Sequence, residues 1–341
     1  MIFDGHNDVL SRIWCGGGDP VRDFTAGRGH ITEQKAQAGG FAGGFFALYA
    51  PQQRAPFDFS LFGSGMKAIP LPPMLPQGTA LNAIISQIGV ARQLEAAELL
   101  AFCTTGSQLA AAMARGEIAA LLHLEGADAI DDDLYSLDAL CSAGLRSLGP
   151  VWSRQTIFGT GVPFAFGRDA DTGPGLTEAG HRLVKRCADL GIIVDTSHIT
   201  LKGFWDIAEA GLPLVATHSN AYAVCPVTRN LTDAQLRAIG ETGGMVGLNF
   251  GTIFLSEAGW TTGRASVPDL IRHLDHMIEI AGEDHVGLGS DFDGAPLPQG
   301  ITSAADLPRV VEAMQRHGYG QALIDKLLKD NWLRFLTRQL G

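Results

Sequence analysis

Eight short apolar runs alternate with amphipathic runs of helical length along this 341-residue chain, and no clear linker interrupts the rhythm. Ile2-Phe3 leads into His6-Asn7-Asp8. Residues 43–49, 118–124, 145–152, 192–195, 214–217, 245–248 and 285–289 follow as further strand candidates. Between them, apolar spacing near 3.6 predicts helices over 79–103, 134–143, 177–190, 201–210, 232–241 and 267–281, with a helical tail over 305–339. Thr177 caps one of these helices and Gly191 ends it. Regular strand–helix alternation builds a parallel sheet covered by helices. The expected fold is therefore α/β: a single (β/α)8 TIM-type barrel over 1–341, with extra C-terminal helices. The rival, an open doubly wound sheet, wants a GxGxxG after the first strand, and none is present. Residues 51–78 and 153–175 are rich in Gly or Pro and read as long loops.

Composition agrees with a sheet buried on both faces. Charged residues make up 18% and hydrophobic ones 46%, so disorder and solvated coiled coil are excluded. The net charge of −11 repels polyanions, which argues against nucleic acid and anionic membrane surfaces as partners. The longest apolar stretch, residues 38–51, is too short to span a bilayer. The opening MIFDGHNDVL has neither the basic nor the apolar region of a secretory signal. The five cysteines, Cys15, Cys103, Cys141, Cys187 and Cys225, are far apart and form no CxxC. Buried thiols in a reducing, cytoplasmic setting are expected.

In a barrel of this kind the active site lies where strands end. Polar residues fall at those ends. His6 and Asp8 close the first strand, Glu125 the third, His198 the fifth, His218 the sixth, and Asp291, in GSDFDG, the eighth. A lone histidine in a strand is more often a hydrogen-bonded core residue than a ligand. Five potential ligands and an aspartate at five strand ends are not explained that way. Imidazole and carboxylate suit ions of the zinc type. Three histidines and two carboxylates exceed the need of one ion, so two divalent ions are expected, with a carboxylate bridging them. A pair of this kind shares a water and lowers its pKa toward about 7. Asp291 then suits proton transfer from that water to the leaving amine. His123, two before Glu125, shares its face and either supports the site or packs the interior. The remaining histidines read as structural or exposed.

The set DGHNDVL at 4–10, LEGADAI at 124–130, GPGLTEAGHRLVKRCADLGIIVDTSHIT at 173–200, THSNAYAV at 217–224, TRNLTDAQLRAI at 228–239 and GLGSDFDG at 287–294 resembles the renal-type (membrane) dipeptidases, metal-dependent amidohydrolase-like barrels, over nearly the whole chain. The resemblance implies that His6 and Asp8 bind one zinc, that His198 and His218 bind the second, and that Glu125 bridges both. It makes Asp291 the acid/base residue and Arg229 the partner of the substrate carboxylate, a role its planar fork fits. It implies a small dipeptide substrate, often with a C-terminal D-residue, and a homodimer. One departure stands out. Where the family usually has a histidine at the end of the fourth strand, this chain has GPVWSRQ, with Trp152 in that place. An indole donates one hydrogen bond and cannot become cationic. Either Arg154 compensates, or Trp152 is a wall that reshapes the pocket. The alternative function is a binuclear zinc hydrolase of N-acyl amino acids or other small amides or lactones.

Overall fold

The computed structural model describes residues 1–54 and 67–341, so the middle of the expected loop 51–78 lies outside the described residues. Eight parallel strands form the barrel: β1 (Ile2–Asn7), β2 (Phe41–Tyr49), β3 (Ala119–Glu125), β4 (Leu145–Gly149), β5 (Ile193–Val194), β6 (Val215–Ala216), β7 (Met245–Leu248) and β8 (Val286–Leu288). Their order is β5-β4-β3-β2-β1-β8-β7-β6. One parallel bridge, Asp195↔Val215, joins β5 to β6 and closes the cylinder. The expected (β/α)8 barrel is thus the observed one, with β1 buried along its whole length.

Two short pairings depart from the reading above. Ala68–Ile69 pairs antiparallel with Phe164–Ala165, tying two expected loops together. Ala101–Phe102 adds an edge to β3, because the helix expected over 79–103 stops at Ala96. Glu98, at φ +58°, takes the chain out of the helical region. The fourth strand ends at Gly149 rather than Trp152. Pro150 follows it and has no N–H to offer a ladder. Helices at Val9–Gly16, Pro20–Ala26, Glu33–Gly39 and Gly106–Ala114 were not expected, being short. The expected helices over 177–190 and 232–241 form as Glu178–Leu190 and Asp233–Glu241. In the first, the Thr177 hydroxyl accepts from the Gly180 N–H at 3.0 Å.

The C-terminal helix Asn331–Leu340 plugs the bottom of the barrel. Trp332 is fully buried among Phe3, Phe45 and Met245, and its indole N–H donates to the Leu288 carbonyl at 2.9 Å. Gly287 makes room for it, since a Cβ there would lie 2.4 Å from the indole nitrogen. That end of the barrel is thereby filled with side chains.

His273, on helix Val267–Ala281, is a buried structural histidine. It accepts from the Ala221 N–H at 3.2 Å and donates to the Leu255 carbonyl at 3.1 Å. Burial lowers its pKa from 6.5 to about 4. The neutral form is therefore the folded one. Its stabilisation is full above pH 6.5 and is lost as pH falls toward about 4. His273→Gln keeps both hydrogen bonds and removes the titration. Urea unfolding at pH 7 and pH 4 should show the variant losing about 3 kcal/mol less than the parent between those pH values. Equal losses would refute this role.

Candidate metal centre

The ends of the strands bring the six predicted residues into one buried cluster. His6 points inward from β1, and Asp8 follows at the start of helix Val9–Gly16. Glu125 is the last residue of β3, His198 and His218 follow β5 and β6, and Asp291 follows β8. The Glu125 carboxylate lies in the middle and faces two ways. Its Oε2 is 3.8 Å from His6 Nε2, which is 3.3 Å from Asp8 Oδ2. Its Oε1 is 3.1 Å from His198 Nε2 and 3.5 Å from His218 Nε2, and those two nitrogens are 3.0 Å apart. Ligand atoms of His6, Glu125 and His218 lie within 4.8 Å of one another, as do those of His6, Asp8 and Asp291.

The backbone is strained where it aims these groups. Among the described residues, His198, Asp291 and Asp293 have φ of +68°, +60° and +67°. Such conformations cost of order 1–3 kcal/mol each and persist where surrounding structure imposes them. Asp4 supplies part of that frame by accepting from the Ser290 N–H at 2.6 Å and its hydroxyl at 2.7 Å. Gly294 is required in the same loop: a Cβ there would lie 2.1 Å from Asp8 Oδ2 and 2.3 Å from Asp291 Oδ1.

Burial sets the electrostatics. It raises Asp8 to about 7, with Asp293 adding to the effect. It holds Glu125 well above the usual carboxylate range, assisted by Asp8 and Asp291, and raises Asp291. It lowers His6, His198 and His218 below the ordinary imidazole value. Both ring nitrogens of His6 are buried with no hydrogen-bond partner. A buried polar atom left in that state costs about 1–3 kcal/mol. Crowded carboxylates beside neutral imidazoles with free lone pairs are unfavourable alone and favourable around divalent cations. The donor set fits such ions.

A cavity opens over the cluster, lined by Asp8, Glu125, His198 and Asp291 and walled by Tyr49, Trp152, Phe164 and Phe254. The Trp152 ring centroid is 5.1 Å from that of Tyr49 and 5.8 Å from that of His198. Arg154 is placed differently from the expectation that it serves substrate. It is fully buried and does not line the cavity: Nε donates to Asp128 at 3.0 Å, one terminal nitrogen to the Ala50 carbonyl at 2.8 Å, and its guanidinium packs over Trp152 and Tyr49. Its guanidinium face backs the wall. Arg229 is buried beneath Phe254, donates to Ser219 and to the His218 carbonyl, and keeps Nε without a partner. It is not a lining residue. Burial lowers its pKa to about 10, which leaves it charged. His123 bonds Ser147 through Nδ1 at 3.0 Å and lies 3.5 Å from Asp195, so inside the barrel it reaches from β3 to β4 and to the residue after β5.

Two residues escaped sequence reasoning. Asn249 donates to Asp291 Oδ2 at 2.9 Å. Its signal was a polar residue directly after the seventh strand, in GLNF. Asp195 accepts from both sides of the barrel seam, but in IIVD it reads only as the end of an apolar strand.

The sequence model of the membrane dipeptidase family, peptidase family M19, matches residues 1–339. The chain belongs to this family. A solved metallopeptidase from Rhodobacter sphaeroides, liganded with a phosphinate mimic of the dipeptide L-Ala-D-Ala, is 46% identical, with a TM-score of 0.95 covering 100% of this chain and 99% of that one. An uncharacterized protein from the pqqA 5′ region of Klebsiella pneumoniae is 44% identical over 76% of this chain and 97% of its own length. Another, from the PQQ-III 3′ region of Acinetobacter calcoaceticus, is 37% identical over 82% and 89%. This member of the membrane dipeptidase family is a metallo-dipeptidase. Despite the family name, no helix among the described residues is long and apolar enough to cross a membrane.

Proposed function

We propose that this metallo-dipeptidase works through two divalent cations, zinc by the donor set, held on either side of Glu125. The observation that carries the reading is the two-faced Glu125: Oε2 toward His6 and Asp8, Oε1 toward His198 and His218. When bound, such cations supply Lewis acidity and lower the pKa of water toward about 7. The protein supplies the rest. Asn249 occupies Asp291 Oδ2, which leaves Oδ1 to take a proton from the attacking water and return it to the leaving amine. Arg229 keeps its unpaired Nε behind Phe254 and is the cation assigned to the free carboxylate of the dipeptide, which has to reach past that ring to meet it. Trp152, in its cluster with Tyr49 and Phe164, is an apolar wall for the substrate. The ligand of the Rhodobacter relative supports a C-terminal D-residue. Five free thiols support residence in the cytoplasm.

The test is a panel of L,L and L,D dipeptides, their C-terminal amides and N-acyl amino acids, assayed with zinc-loaded protein. Free dipeptides should give the highest kcat/KM, and blocking the carboxylate should lower it. No turnover of any dipeptide refutes the reading. N-acyl amino acids outcompeting dipeptides would favour the alternative that Trp152 suggested.

A further inference from the structure

The seam that closes the barrel also anchors one of its imidazoles. β5 and β6 are two residues long, and their main chains meet at the single Asp195↔Val215 bridge. The Asp195 side chain, 1% exposed, completes the junction. Its Oδ1 accepts from the Ser197 N–H at 3.1 Å, the Ser197 hydroxyl at 2.9 Å and the Thr217 N–H at 2.9 Å. Its Oδ2 accepts from the Thr217 hydroxyl at 2.8 Å.

Those bonds decide a proton position. Thr217 Oγ1 gives its only proton to Asp195, so toward His218 Nδ1, 2.8 Å away, it can only accept. In that arrangement Nδ1 would carry the imidazole proton, leaving the Nε2 lone pair facing Glu125 and His198. Ser197, its own proton also on Asp195, accepts the His218 main-chain N–H at 3.4 Å. His198 has no equivalent relay: its Nδ1 faces the Ser153 hydroxyl at 2.9 Å, and no carboxylate accepts from Ser153 among the described residues.

We propose that Asp195 is a positioning residue: through the Thr217 hydroxyl it fixes His218 in the Nδ1–H form, so that Nε2 is always ready to bind a cation. The proposal rests on His218 being a cation ligand, as stated under the proposed function. It follows the general pattern in which a carboxylate behind a ligating histidine sets its tautomer and basicity.

The test combines nitrogen-15 NMR of the histidines in cation-free wild-type protein with zinc titrations of wild type, Thr217→Val and Thr217→Ser. His218 should show a protonated Nδ1 and a bare Nε2. Thr217→Val should weaken one of two zinc ions by about 10–100-fold, and Thr217→Ser, which restores the hydroxyl, should recover most of that loss. A bare Nδ1 in wild type overturns the relay, and this reading needs no variant to fold. Wild-type affinity in Thr217→Val, or equal loss in both variants, also overturns it. A correct tautomer in a wild-type chain that binds no zinc would instead overturn the metal reading, and the inference with it.

Discussion

Asp291→Asn should keep its metal and lose most turnover, with kcat falling by about 10²–10⁴. Asparagine has the same shape, and its carbonyl can still accept from Asn249, so the loop and the strained φ of +60° are retained. What it lacks is an oxygen able to take up and release a proton. The geometry makes the metal count as informative as the rate, because Asp291 lies in the same 4.8 Å group as His6 and Asp8. A residue in that place could equally ligate. Parallel measurements of kcat and of zinc per chain separate the roles. Lost turnover with full zinc identifies a proton carrier. Lost turnover with a lost ion identifies a ligand, and near-parental kcat removes Asp291 from the chemistry.

The barrel was legible because its signal is periodic. Apolar runs such as MVGL at 245–248, each followed by a helical pattern, can bury both faces only as parallel strands under helices. The candidate cluster was legible because barrel geometry converts strand ends into neighbours. His6 and His218, 212 positions apart in the chain, lie with ring centroids 3.8 Å apart. What stayed hidden depends on where individual side chains turn. Arg154 was the candidate to compensate for the histidine that Trp152 replaces, but Asp128 and the Ala50 carbonyl, from two other segments, accept from it. Asp195 looked like a strand end, and only the seam reveals that four donors converge on it. Neither fact has a local pattern, because both are made by contacts between loops whose relative placement no periodicity specifies. The short helices between β1 and β2 were missed for a related reason. Runs of seven or eight residues such as Val9–Gly16 hold too few turns for a 3.6-residue period to stand out.

Glu125→Gln should uncouple stability from activity with opposite signs. The two oxygens of Glu125 face two sets of candidate ligands, His6 with Asp8 on one side and His198 with His218 on the other. Glutamine fills the same space but offers one oxygen and one NH2 group, and the NH2 turns hydrogens toward whichever set it faces. One cation site then loses a ligand and meets a dipole of the wrong sign. Affinity for that ion should fall by more than the roughly 10–100-fold expected from losing a residue that only orients a ligand. Loss of its several kcal/mol of transition-state stabilisation should lower kcat/KM by about 10³. The cation-free protein should respond the other way. There Glu125 is a buried carboxylate crowded by Asp8 and Asp291, and a neutral amide relieves that crowding. In chelator, Glu125→Gln should therefore melt at or above the parental Tm, while in zinc it should melt below it. Two tightly bound ions in the variant would remove Glu125 as the bridge, and a lower Tm in chelator would show that its side chain stabilises the cation-free fold.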